Sequence, residues 1–208
     1  MIVKVPVTGQ FQENCYFFLD PETLHGFVID PGAQAQRLLR IIGTKGWTIE
    51  AILLTHGHFD HIGAVDELRT ALGAPVRAHC DAARYLEHPE MNLSAYSERP
   101  IVVHNTEAIC EGEEIVLGAN PDFRLKALCT PGHTTDSMTF VVQNEPAAFV
   151  GDTIFLGSIG NYEYPGGDFE AIRSSILERI LTLPANTVLL PGHGPQTSVA
   201  DERARYGL

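Results

Sequence analysis

Between Thr55 and His61 the chain reads THGHFDH, three histidines and an aspartate within seven residues, directly after the apolar run AILL (51–54). Imidazole and carboxylate are the donors that hold divalent metals. Further donors of the same type stand in the same context. FRLKALC (123–129) runs into TPGH and His133, AAFV (147–150) into GD and Asp152, and TVLL (187–190) into PGHG and His193. Four apolar segments therefore each end in a turn that carries a metal-type donor. Loops at the carboxyl ends of strands share one rim of a rigid scaffold, which is where sites collect in sheets covered by helices. Gly57, Gly132, Gly151, Gly192 and Gly194 fit close approach of backbones at a crowded centre.

The donors are His56, His58, Asp60, His61, His133, Asp152 and His193. A tetrahedral ion takes about four ligands, so this set exceeds one ion and fits two that share a bridging aspartate. Two divalent cations against two carboxylates leave a net charge of about +2, which would hold a hydroxide between them at neutral pH. His56 and His58, two apart in an extended turn, can face one ion while Asp60 and His61 turn toward the other. His25, His79, His88 and His104 lack this context and read as structural or surface residues.

The elements that must position these donors are strands first, then strands alternating with helices. IVKVPVT, CYFFLD and HGFVID open the chain, and the DPG turn (30–32) leads to a helical stretch, AQAQRLLRIIGTKG, with Leu38, Leu39, Ile41 and Ile42 as its apolar face. After the histidine cluster, IGAVDELRTALG (62–73) is amphipathic, Val76–Ala78 a strand and DAARYLEH a short helix. Residues 89–106 read as a loop. Later strands are EIVL (114–117), FRLKALC, MTFVV (138–142), AAFV and TVLL. One further helix starts at Asp168, a good N-cap, with Ile172, Ile176 and Ile180 at i+4 spacing. The pattern is α/β or α+β with helices covering sheet faces.

Composition bounds the partners. At 208 residues the chain suits one domain, 1–208. Fourteen basic residues against 26 acidic give a net charge of −12, which leaves no electrostatic footprint for nucleic acid. No apolar run is long enough to span a membrane, and the N-terminus lacks the apolar region of a signal peptide, so the expected location is the cytoplasm. Cys15, Cys80, Cys110 and Cys129 form no CxxC pair and lie in or beside apolar stretches, so they read as buried free thiols. A monomer and a dimer are both compatible with the sequence.

THGHFDH resembles the HxHxDH signature of the metallo-β-lactamase superfamily, and TPGH, GD and PGHG match its remaining ligand motifs in order and spacing. The resemblance covers nearly the whole chain. It implies a four-layer αββα sandwich with the metal site at one edge of the two sheets. It also implies His56, His58 and His133 on the first metal, Asp60, His61 and His193 on the second, and Asp152 bridging. GSIGNYEYPGGD (157–168) and MNLSAYS (91–97) look most like the short glyoxalase II-like hydrolases. Secreted β-lactamases of the superfamily commonly use a cysteine ligand where this chain has aspartate, which argues against that branch. Zinc is the first choice of metal, with iron and manganese also suited to imidazole and carboxylate.

Three departures stand out. The chain is expected to lack the C-terminal helical domain that supplies much of the glutathione site in full-length glyoxalase II. Asn161, Tyr162, Glu163 and Tyr164 replace the RTDF usual in the short relatives, exchanging an arginine for a glutamate at the rim. Asp136 stands where relatives often have glycine. The expected activity is hydrolysis of a small-molecule thioester by a bridging hydroxide, with Asp60 orienting the nucleophile and Tyr162 and Tyr164 contacting substrate. The rivals are a mononuclear-iron persulfide dioxygenase, which resembles this family closely, a lactonase or phosphodiesterase of the same superfamily, and a non-catalytic metal-binding module. Asp30, in the DPG turn, is either a supporting partner for the ligand loops or a plain turn residue.

Overall fold

The computed structural model describes residues 1–208. Strands β1 (Ile2–Thr8), β2 (Gln12–Leu19) and β3 (His25–Ile29) form an antiparallel meander. Helix α1 (Ala35–Lys45) then crosses to β4 (Thr48–Leu53), which pairs parallel with β3. Helices α2 (Phe59–Ile62) and α3 (Val65–Leu72) precede β5 (Val76–His79), and α4 (Ala83–Leu86) and a long loop precede β6 (Glu107–Ile109). These six strands make one sheet in the order β1-β2-β3-β4-β5-β6. The second sheet uses β7 (Glu114–Leu117), β8 (Asn120–Cys129), β9 (Met138–Val142), β10 (Ala147–Gly151), and the late strands β13 (Val188–Pro191) and β14 (Thr197–Ser198). A small hairpin of β11 (Ile154–Phe155) and β12 (Ser158–Ile159) and the helix α5 (Phe169–Ser174) separate β10 from β13, and α6 (Val199–Tyr206) closes the chain.

Three apolar clusters fill the gaps between four layers. Leu38, Ile42, Val65 and Leu68 of α1 and α3 pack on Phe17, Val28 and Ile52 of the first sheet. Tyr16, Phe18, Ile29 and Leu53 point the other way, as period-two strands require, and meet Leu125, Phe140, Phe149 and Leu190 of the second sheet. Ile172, Ile176, Ile180 and Val199 cover the outer face of that sheet against Ala148, Val150 and Leu189. Helix, sheet, sheet, helix is the four-layer αββα arrangement.

Asp168 caps α5 through the Ala171 amide at 2.7 Å, and the helix continues to Ile180 as a π-helical turn over Ser175–Ile180. The amphipathic segment 62–73 is not one helix. Gly63 lies against the Gly32 carbonyl and the Ala64 amide donates to Pro31 O, so contact with the DPG turn breaks it between α2 and α3. Only Cys15 is buried; Cys129 is partly so and Cys80 and Cys110 are exposed, because both stand one residue beyond their strands, β5 and β6. The reading of all four as buried thiols is therefore corrected. No helix is long and apolar enough to cross a membrane.

Candidate metal centre

The ends of β4, β8, β10 and β13 converge on one edge where the two sheets meet, and the turns that follow bring all seven donors together. Ring nitrogens of His56, His58 and His133 lie within 4.8 Å of one another, as do donor atoms of Asp60, His61 and His193. Asp152 stands between the groups. Its Oδ1 is 3.4 Å from His61 Nε2, and its Oδ2 is 3.8 Å from His133 Nε2 and 3.4 Å from His193 Nε2. Asp60 Oδ2 reaches His193 Nε2 at 3.2 Å. Five of the seven residues are buried; Asp60 and His193 keep 14% and 28% of their side chains exposed, so the centre opens on their side.

The rings are aimed by hydrogen bonds at their far nitrogens. His133 Nδ1 donates to Asn161 O at 2.7 Å, His193 Nδ1 to Gln12 O at 2.6 Å and His61 Nδ1 to Asp30 Oδ2 at 3.0 Å. Each bond fixes the tautomer that leaves the Nε2 lone pair facing the centre. Asp30 also accepts from the Thr55 amide at 2.7 Å and the Thr55 hydroxyl at 2.6 Å, and that hydroxyl lies 3.2 Å from His56 Nδ1. Of the two readings of Asp30, the structure shows the supporting partner. Asn14 Nδ2 donates to Pro191 O and Gly194 O, and Tyr16 OH to Pro191 O, pinning the loop that carries His193. A Cβ on Gly192 would collide with His61 Cε1 and Asp152 Oδ1, so close approach explains that glycine. Gly194 has open space around it and is needed for its φ of 72° instead.

The donor chemistry fits divalent cations. His56 Nε2, His61 Nε2 and Asp152 Oδ1 are buried without a hydrogen-bond partner, a costly arrangement unless a cation takes their lone pairs. His58 Nδ1 faces His133 Nε2 at 2.9 Å, two ring nitrogens converging on one point. Burial raises the Asp152 pKa, but the imidazoles of His61, His133 and His193 outweigh it and hold the carboxyl well below the usual range. Asp60 is likewise held low, burial being overcome by His193 and His61. Burial and the neighbouring His133 ring push His58 down to about 3, favouring the neutral form that binds metal.

Tyr164 stands over the first group, its ring 5.8 Å from His58 and 6.3 Å from His133. Tyr162 turns instead onto Phe169 at 5.1 Å. Both rings are partly exposed rather than filling the core beneath the loop. Asp136 is 1% exposed beside Gly57, and neither carboxyl oxygen has a hydrogen-bond partner. Burial pushes its pKa up to about 7, with polar approaches from Thr134 and the Gly57 amide offsetting only part of that. An unfolded aspartate ionises near 3.9, so this carboxyl contributes stability fully below about pH 4 and loses it as pH rises to about 7. Asp136→Asn removes that loss. Its melting temperature is expected to match the wild type near pH 4 and to exceed it by roughly 5 °C at pH 8, on a scale of about 2–4 °C per kcal/mol. The same offset at both pH values in a thermal melt would show that Asp136 is already ionised in the fold.

A family model of the metallo-beta-lactamase superfamily matches residues 8–193. The chain belongs to that superfamily. This metallo-beta-lactamase superfamily member is 37% identical over 202 residues to the probable metallo-hydrolase YqgX of Bacillus subtilis, covering 96% of this chain and 93% of the relative. It is 32% identical over 206 residues to the hydroxyacylglutathione hydrolase GloC of Haemophilus influenzae, with the same coverage of 96% and 93%. Among solved structures it is similar to the BLEG-1 B3 metallo-beta-lactamase, with a TM-score of 0.91, 35% identity and coverage of 98% and 97%. TTHA1623 in a di-iron-bound form gives a TM-score of 0.83 and 36% identity, covering 95% and 96% of the two chains.

Proposed function

We propose that this protein is a metal-dependent thioester hydrolase of the short glyoxalase II-like kind. His56, His58 and His133 hold one divalent ion, Asp60, His61 and His193 a second, and Asp152 is shared. Zinc is the first candidate; the di-iron form of a similar protein, TTHA1623, shows that such a scaffold takes iron as well. Ions at these donors supply a Lewis acid for a carbonyl oxygen and lower the pKa of water to about 7.

The observation that carries the choice of thioester is the protonation of the centre. Burial raises both of its carboxyls, Asp60 and Asp152, but the neighbouring imidazoles outweigh it and hold both below the usual range, so neither serves as the acid that a poor leaving group needs. In the net reaction the oxygen of water forms the new C–O bond, the C–S bond breaks, the sulfur departs as a thiolate, and the protons of the water pass to solvent. Free thiols have a pKa of about 8.5, so that departure needs no acid, whereas an amide nitrogen does. Asp60, at the open side, orients the nucleophile by accepting a hydrogen bond from its O–H, and Tyr164 walls the acyl side. The 32% likeness to a hydroxyacylglutathione hydrolase supports the same reading.

The test combines elemental analysis of protein purified without chelator with turnover of matched thioester, lactone and β-lactam panels. About two ions per chain, as the donor count requires, and selective thioester cleavage are expected. A single iron per chain with oxygen uptake on a persulfide, or turnover confined to β-lactams or lactones, overturns the proposal.

A further inference from the structure

Tyr85 of α4 is fully buried, yet it belongs to none of the donor turns. Its ring meets His58 edge-on, with centroids 6.1 Å apart, and its Cβ fills the space beside Gly57 that a larger residue there would need. Its hydroxyl reaches two further segments. It accepts from the Thr135 amide at 3.0 Å and the Thr135 hydroxyl at 3.3 Å, two residues after His133. It donates to Pro165 O at 3.3 Å, one residue after Tyr164. A phenol has one donor and two acceptor sites, so every site of this hydroxyl is used.

The loop that carries Tyr162 and Tyr164 depends on that bond. Its two ends are fastened: His133 Nδ1 donates to Asn161 O at 2.7 Å, and the Asp168 amide donates to Gly132 O at 2.9 Å. Between them the loop bonds to itself, Glu163 N to Asn161 Oδ1 and Gly167 N to Tyr164 O, both at 2.8 Å. The Pro165 carbonyl is the one group of residues 162–167 that makes a hydrogen bond to the rest of the protein, and Tyr85 is its partner. Gly166 is fitted to this contact. It sits at φ 85°, and a Cβ there would collide with the Tyr85 hydroxyl. Tyr164, next to the tethered carbonyl, is the ring that stands 5.8 Å from His58.

We infer that Tyr85 is a positioning residue for the substrate: its hydroxyl tethers the loop at Pro165 and so sets Tyr164 against the donor rings of His58 and His133. The inference rests on the thioesterase reading for what Tyr164 contacts, and it adds the residue on which that wall depends.

The experiment compares metal-loaded wild type, Tyr85→Phe, Tyr164→Ala and the double variant on one thioester, with metal content measured for each. Tyr85→Phe keeps the ring against His58 and loses only the hydroxyl. It is expected to raise KM about fivefold, the scale of one neutral hydrogen bond. Its kcat should change less than about twofold, with the metal content unchanged. In the Tyr164→Ala background the same change should move KM by less than about twofold, because the wall it sets is already gone. Gly166→Ala breaks the tether from the loop side, leaves the Thr135 bonds in place, and should raise KM to a similar extent. Equal effects of Tyr85→Phe with and without Tyr164, or a loss of metal, overturns the inference, since Tyr85 would then act on the centre through His58 or Thr135. Hydrogen exchange needs no substrate and keeps the two readings apart. Exchange of the 162–167 amides at least about threefold faster in Tyr85→Phe, with the donor turns unchanged, supports the tether even if no thioester is cleaved. Unchanged exchange there overturns it even if thioesters are cleaved.

Discussion

Asp152→Ala is expected to lower kcat/KM for thioester cleavage by on the order of 10³-fold or more, about 4 kcal/mol of transition-state stabilisation. Its carboxylate faces members of both donor groups, with His61, His133 and His193 all within 3.8 Å. Removing it leaves Asp60 as the sole negative charge among six donors, so two dications would face each other with half the former compensation. Partners one bond further out typically cost 10–100-fold when lost, and a donor shared by both sites costs more. Asp152→Asn separates charge from shape: it keeps one acceptor oxygen and loses the charge, so it should resemble Ala in activity while retaining more metal. The checks are steady-state kinetics together with elemental analysis, in which Asp152→Ala falls below the two ions per chain expected of wild type. Wild-type turnover by the alanine variant would sink the shared-carboxylate reading.

The donors were legible in the sequence because the turns that carry them directly follow AILL, FRLKALC, AAFV and TVLL and each holds a glycine, signals that survive without knowledge of the fold. The helix from Asp168 was legible for a similar reason, its cap and three isoleucines being local. What supports the donors was harder to see. Asn14, Tyr16 and Gln12 act from β2 on a loop more than 170 residues away, through backbone carbonyls that any residue supplies. Asp30 was suggested only by its DPG turn. The strands β6, β11, β12 and β14 are two or three residues long, too short for a period-two pattern. Helix α6 buries only Val199 and Glu202, so it shows no apolar stripe. The break at Gly63 exists only because the DPG turn, 31 residues earlier at Gly32, packs against it. The cleft bordered by Asp60 is assembled from α1, the β1–β2 turn and the loop near Arg99, and no local window contains it.

Asp30 carries the second large effect, and it reaches both donor groups at once. One oxygen takes the Thr55 amide; the other takes the Thr55 hydroxyl and His61 Nδ1. Through Thr55 Oγ1 the same carboxylate orders His56 in the first group, and directly it orders His61 in the second. The residue also sits at φ 49°, a left-handed conformation that aspartate and asparagine tolerate better than most side chains. Asp30→Asn keeps the backbone preference and one acceptor but presents an amide NH₂ where two donors arrive, so a donor meets a donor. Its metal affinity and kcat/KM are expected to fall roughly 10–100-fold, the usual scale for such partners, with a modest loss of stability. Asp30→Ala removes every acceptor and leaves buried donors unpaired, at about 3–5 kcal/mol, and its melting temperature is expected to drop by roughly 10 °C. Competition with a chromophoric chelator resolves the two sites: both affinities weaken in Asp30→Asn if one carboxylate orders His56 and His61 together. If only one weakened, the Thr55 relay to His56 would carry no force and Asp30 would serve His61 alone.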